Sequence, residues 1–284
     1  MGALFDSYLI VDWSAANKPK SGKDSIWIAL HDGDCLVWLE NPPTRSEAME
    51  MVAAECQAAI ADGKRLFAGF DFAFGWPAGA AKVVTGKPGW QSIWAHIAST
   101  ISDDAGNRSN RFQVAAKINQ TFFDGNGPFW GCPPSQSYDG LTPTKSTFAF
   151  DQFAERRRVE RLATKAQPIW KLFTTGSVGS QSLLGIAHLQ KLRGRFADDI
   201  AIWPFETRFA ADFSRTVTVA EIYPSLFDVT AQADEVLDAA QVRTIAERFA
   251  ELDQAGDFKA MLEGPDEPAV LTEEGWIVGA GHAA

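Results

Sequence analysis

Two short apolar runs each end at an aspartate: SYLIVD at residues 7–12, and RLFAGFDF, where Asp71 closes the run. Apolar runs of this length, bounded by turn formers, read as strands buried on both faces. What lies between them restricts the topology. WSAANKPKSGKD is rich in turn formers and lysine and reads as a loop. SIWIALHDGDCLVWLEN reads as a hairpin, two β-rich runs flanking Asp32-Gly33-Asp34. SEAMEMVAAECQAAIADGK reads as a helix, with Ser46 as its cap and Gly63 as its end. The order strand, strand, strand, helix, strand returns the last strand beside the first and parallel to it, by a right-handed crossover. Asp12 and Asp71 are then expected at the carboxyl ends of adjacent strands, the edge of an open α/β sheet where ligands bind.

Two carboxylates converging in one cleft repel each other and stay ionised together mainly when a cation lies between them. Hard ions such as Mg²⁺ and Mn²⁺ take carboxylate and water oxygens. That makes Asp12 and Asp71 candidate metal ligands. The overall charge limits the substrate: the formal net charge is −10 and the pI about 4.9. Nucleic acid is held largely by clustered Lys and Arg, so binding across the whole surface is not expected. Basic residues occur in two local runs, Lys18, Lys20 and Lys23, and Arg156, Arg157, Arg158 and Arg161.

The three cysteines, Cys35, Cys56 and Cys132, are far apart and form no CxxC pair. This speaks against a zinc finger or a disulfide framework and fits a reducing cytoplasm. The first residues, MGALFDSYLIVDWSA, carry an acid within the apolar stretch and no basic segment, so they read as a strand and not as a signal peptide. No apolar run approaches the length of a membrane span.

Residues 72–198 read as a long, mostly helical insertion, expected to cap the carboxyl edge of the sheet within a single domain spanning 1–284. GWQSIWAHIAST, RFQVAAKINQTFF and SQSLLGIAHLQKLR have helical spacing, and AERRRVERLATKA reads as a basic amphipathic helix. Strand character returns at DIAIWPFE and TVTVAEIYP, AAQVRTIAERFAELDQA reads as a helix, and EEGWIVGAG as the start of a last short one. GSVGSQ, a small-residue turn entering a helix, offers backbone N–H groups to a phosphate but is not a Walker A motif. Ser177 lies in it. Arg108, Arg111 and Lys117 in NRSNRFQVAAKIN, Lys145 in the PTK loop and Arg156 on the basic segment are candidates to line the cleft mouth and meet a substrate phosphate.

IVDWSA, GFDFAFGWP, NRSNRFQVAAKIN, GPFWGCP, GSVGSQSLLG, WPFET, AEIYPSL and EEGWIVG together resemble an uncharacterised bacterial family of predicted ribonuclease H-fold proteins. The resemblance covers nearly the whole chain. It implies a ribonuclease H-like α/β fold: a mixed sheet of hairpin strands followed by helical crossovers, here with the large insertion. It also implies metal-binding acids at Asp12 and Asp71, with Glu221 in AEIYPSL as the third. Glu206 in WPFET competes for that place. The superfamily usually adds an acid on its C-terminal helix. Glu273 and Glu274 stand in that segment, where no Asp is found.

Two functions from different classes follow. One is a nuclease or phosphoesterase dependent on Mg²⁺ or Mn²⁺, acting at Asp12, Asp71 and Glu221, with Ser14 and the basic residues touching a small phosphorylated substrate or nucleic acid. The other is a non-catalytic protein that binds a small phosphorylated or nucleotide-like ligand in the same cleft. A serine hydrolase is disfavoured, because no G-x-S-x-G context surrounds Ser177 or Ser180. An actin-like ATPase ranks last, because such proteins pair two related domains and this chain shows no second copy.

Overall fold

A computed structural model describes residues 2–125, 127–210 and 212–282. Its centre is a six-stranded mixed sheet in the order β3-β2-β1-β4-β6-β5. The strands are β1 (Ser7–Asp12), β2 (Trp27–His31), β3 (Leu36–Glu40), β4 (Leu66–Phe70), β5 (Ile200–Ile202) and β6 (Val217–Glu221). β1, β2 and β3 form an antiparallel meander. β4 lies parallel to β1, β6 parallel to β4, and β5 parallel to β6. The crossover from β3 to β4 is the helix α1 (Arg45–Asp62). Its cap is Thr44, two residues before Ser46. The Thr44 hydroxyl accepts from the Glu47 N–H and bonds to the Glu47 carboxylate, a reciprocal arrangement contributing about 1 kcal/mol. Gly63, at φ 64°, ends the helix as its sequence position requires.

The strand pleat divides the core into two layers. Leu9 and Val11 of β1, with Phe70 of β4 and Val217 and Val219 of β6, face one layer. That layer is closed by α1, α2 (Ala80–Thr85), α3 (Trp90–Thr100), α4 (Arg111–Phe122) and α6 (Gly179–Arg195). Tyr8 and Ile10 face the other layer, together with Phe67, Ala220 and Ile222. The long helix α7 (Leu237–Ala255) covers that side, packed across β1 and β2 and followed by the short α8 (Phe258–Met261). Among the described residues no helix is long and apolar enough to cross a membrane.

The segment between α4 and α6 is less helical than its sequence suggests. The basic stretch forms a single turn, α5 (Val159–Leu162). Arg161 is exposed, but Arg157 is buried in ion pairs with Glu160 and Glu221. That anchorage fixes the chain where a continuing amphipathic helix would carry it away. Near the C-terminus the helical turn runs over Val270–Glu274, earlier than EEGWIVG implies, and Gly275 at φ 68° ends it.

Candidate functional site

Val11 pairs with Phe70 across the parallel β1–β4 ladder, so Asp12 and Asp71 follow side by side at the carboxyl edge of the sheet. The Asp71 N–H donates to the Val11 carbonyl at 3.3 Å. The Trp13 N–H donates to Asp71 Oδ1 at 2.6 Å, which fixes the carboxylate against the loop leaving β1. The two carboxyl groups are within hydrogen-bonding reach of each other. Burial pushes Asp12 well above the usual carboxylate range, and the charge and hydrogen bond of Asp71 push it further. Burial also raises Asp71, to about 6, against the lowering effect of hydrogen bonds from Asp12 and the Trp13 N–H. Burial thus raises both acids of the pair, Asp12 the further.

Two more acids act on this pair through space, Asp238 and Asp24. Asp238 lies in the first turn of α7, and its Oδ2 accepts from the Asp24 N–H at 2.6 Å. Sequence reading missed both. Asp238 stands one residue before AAQVRTIAERFAELDQA, and no periodic pattern tells that this helix starts over the end of β1. The signal that was present is an acid in a helix's first turn, which the helix dipole alone also explains.

Two cavities meet at the pair. One, of about 250 Å³, is lined by Asp12, Trp13, Ser14, Asp24, Ser25 and Asp238. The other, of about 270 Å³, has Asp71, Arg157, Lys165, Ser177, Glu221 and Tyr223 among its walls. Gln181 and Gln241 line both. Ser14 and Ser177 therefore reach the cleft, one in each cavity, and residues from the segment 157–181 form one wall of the second.

Glu221 has a different place from the one expected. Its register partner is Phe70, so its side chain starts on the face of the sheet opposite Asp12. There Arg157 grips it bidentately, at 2.7 and 2.8 Å, and its Oε2 also accepts from the Phe74 N–H at 2.9 Å. Glu221 thus borders the cavity with its charge paired to Arg157. Glu206 is farther off, ion-paired to Arg193 at 2.6 Å and Arg215 at 3.6 Å. Glu273 and Glu274 accept from the Ala81 and Ala78 N–H groups and fasten the loop after β4.

The expected phosphate contacts are also placed elsewhere. Arg108 is exposed and pairs with Asp104. Arg111 is buried, bonded to Ser180, Ser109 and Asn17. Lys117 borders an apolar groove with His96 and Phe122. Lys145 pairs with Glu155 at 2.6 Å, and Arg156 donates to the Ala166 carbonyl at 2.8 Å. The arginine that does reach the cleft is the next in sequence, Arg157.

Among the described residues no group of three or more His, Cys, Asp or Glu side chains is set to hold a metal ion. The site offers two carboxylates, which suits a cation of the Mg²⁺ kind: such an ion takes one or two carboxylates and keeps several waters. Comparison with family models, with curated proteins and with solved structures returns no match.

Proposed function

We propose that this chain is a ribonuclease H-like phosphoesterase whose Asp12–Asp71 pair holds a divalent cation, Mg²⁺ or Mn²⁺. One observation carries the reading: two carboxyls stand side by side, buried at the carboxyl ends of adjacent parallel strands, at a cost in repulsion and desolvation that a cation would offset. The strand order supports it, with an antiparallel meander, a helical crossover and then parallel strands. Asp12 and Asp71 would ligate the ion, and the Trp13 N–H would hold Asp71 in place. Asp24 and Asp238 would deepen the negative potential that draws the ion in. Ser14 and Ser177 would contact the substrate from the two cavities. When bound, such an ion polarises a phosphoryl oxygen and lowers the pKa of an attacking water.

Calorimetric titration of Mg²⁺ and Mn²⁺ into the wild type and Asp12→Asn, alongside a phosphoesterase assay, tests this. Binding and turnover that both vanish in the variant are the expected result. Ion binding unchanged in the variant removes the proposal. A second reading, ligand binding without catalysis, is favoured by one observation: the arginine in the cleft is already committed to Glu221 and Glu160. A phosphorylated ligand that raises the melting temperature with no turnover at any metal concentration would select it.

A further inference from the structure

The cavity beside Asp71 is lined by a set of polar side chains. Gln167, Ser177, Tyr223 and Gln241 line it half-buried and Ser225 lines it exposed, and among the described residues none of these side chains bonds to another protein group. Here two amides and three hydroxyls converge, and each of these groups can both donate and accept. A ligand hydroxyl does the same. Ile222, Pro224 and Ile277 supply an apolar side to the same cavity.

Charge narrows the ligand further. Arg157 is bound to Glu160 and Glu221 and to the Glu274 carbonyl, so Lys165 is the cation left to meet a ligand among the residues lining this cavity. On the far side of the Asp12–Asp71 pair, the neighbouring cavity adds Asp24 and Asp238 and no Lys or Arg. A nucleic acid strand needs several cations along its path. One passing Asp12 and Asp71 would meet acids on one side and a single lysine on the other. At about 270 Å³, the cavity stands just below the range of about 300–1,000 Å³ usual for drug-sized ligands.

Resting on the phosphoester reading above, we propose that the substrate is a small phosphorylated polyhydroxy compound, of sugar-phosphate or mononucleotide size. Its phosphoryl group lies at Asp12 and Asp71 and its body among Gln167, Ser177, Tyr223 and Gln241. Hydrolysis bonds the water oxygen to phosphorus and breaks the bond between phosphorus and the sugar oxygen. That oxygen leaves as an alcohol with one water proton, and the other proton stays on the phosphate.

The test uses the full chain with Mg²⁺ or Mn²⁺ and six probes: a hexose phosphate, adenosine monophosphate, p-nitrophenyl phosphate, single-stranded DNA, single-stranded RNA and an RNA–DNA hybrid. The hexose phosphate or the mononucleotide should exceed p-nitrophenyl phosphate in kcat/KM by about tenfold, the worth of one or two hydrogen bonds. Whichever of the two is faster names the source of the body. Gln167→Ala and Gln241→Ala should each raise KM with little change in kcat, and thermal melts should match the wild type because neither amide supports the fold. Faster cleavage of any strand overturns this proposal while leaving the phosphoester reading in place. Unchanged KM in both variants overturns the seat assigned to the body. No metal-dependent turnover of any probe removes the phosphoester reading, and this proposal with it.

Discussion

Asp12 and Asp71 follow the register partners Val11 and Phe70 at the ends of adjacent parallel strands, their carboxyl groups within hydrogen-bonding reach, and Asp71 also takes the Trp13 N–H at 2.6 Å. Asp12→Asn keeps that geometry, since the amide also donates, but loses the anionic ligand. The wild type should therefore gain melting temperature with Mg²⁺ or Mn²⁺, because an ion that binds only the native state stabilises it by mass action. The gain is about 2.7 kcal/mol at a hundredfold excess over Kd. The variant should gain little, and without added metal it should be at least as stable as the wild type. Equal responses of the two proteins would count against Asp12 as a ligand.

The same pair sets a pH dependence. An acid whose pKa is raised by folding binds more protons folded than unfolded, so its contribution is most favourable below its unfolded value, near 4, and is lost as pH rises through the folded value. Asp71 is raised to about 6 and Asp12 further in the same direction. Raising the pH of the metal-free wild type from about 4 to beyond about 6 should lower its stability relative to Asp12→Asn. Saturating Mg²⁺ should cancel this, because the ion favours the ionised pair. Urea midpoints of both proteins across that range measure it; a gap between them that does not move with pH would contradict the raised, coupled titration of the two acids.

Asp12 and Asp71 were legible in the sequence because each closes an apolar run, and chain order alone made the two strands neighbours. Glu221 closes a run too, but strand side chains alternate, and nothing in VTVAE tells which parity matches Asp12. The register with Phe70 decided it, one residue out of phase. Asp238 was hidden for the opposite reason: a helical pattern gives the face a helix buries, not where along the sheet its first turn stops. Among Arg156, Arg157, Arg158 and Arg161 the sequence contains four equivalent charges. Selection of Arg157 depends on Glu160 and Glu221, the latter 64 residues away in the chain.

Arg157→Ala should destabilise the protein by about 3–5 kcal/mol, because it strands Glu160 and Glu221 as buried unpaired acids. Arg157→Lys should recover little of this. A single ammonium cannot replace a guanidinium that bonds both Glu221 oxygens, Glu160 and the Glu274 carbonyl together. Arg156→Ala is the control, since Arg156 meets only backbone carbonyls. Denaturant unfolding of the three variants should rank Arg156→Ala closest to wild type; similar losses in all three would show that the buried triad has no special weight.

Asp103 supports the site from behind. Arg45 is fully buried, and its guanidinium bonds both oxygens of Asp103 at 2.6 Å, the Asn107 carbonyl, and the carbonyls of Ser14 and Ala16 in the loop that leaves Asp12. His188 Nε2 meets the same carboxylate at 2.8 Å, and its ring lies edge-on to Trp13. Burial alone would raise the Asp103 carboxyl, but hydrogen bonds from Arg45 and His188 outweigh it and hold it down at about 2. Asp103→Ala leaves Arg45 buried without its counter-charge and should cost about 3–5 kcal/mol. The sign with pH follows from the depressed value: this contribution is complete above the unfolded carboxylate value, near 4, and disappears as pH falls through about 2. The stability difference between wild type and Asp103→Ala should therefore be constant from neutral pH down to about 4 and shrink below it. Asp103→Ala should also weaken Mg²⁺ binding, because the loop carrying Trp13 and Ser14 loses the anchor that Asp103 gives Arg45. A stability difference that persists undiminished in acid would mean that Asp103 acts by packing and not by charge.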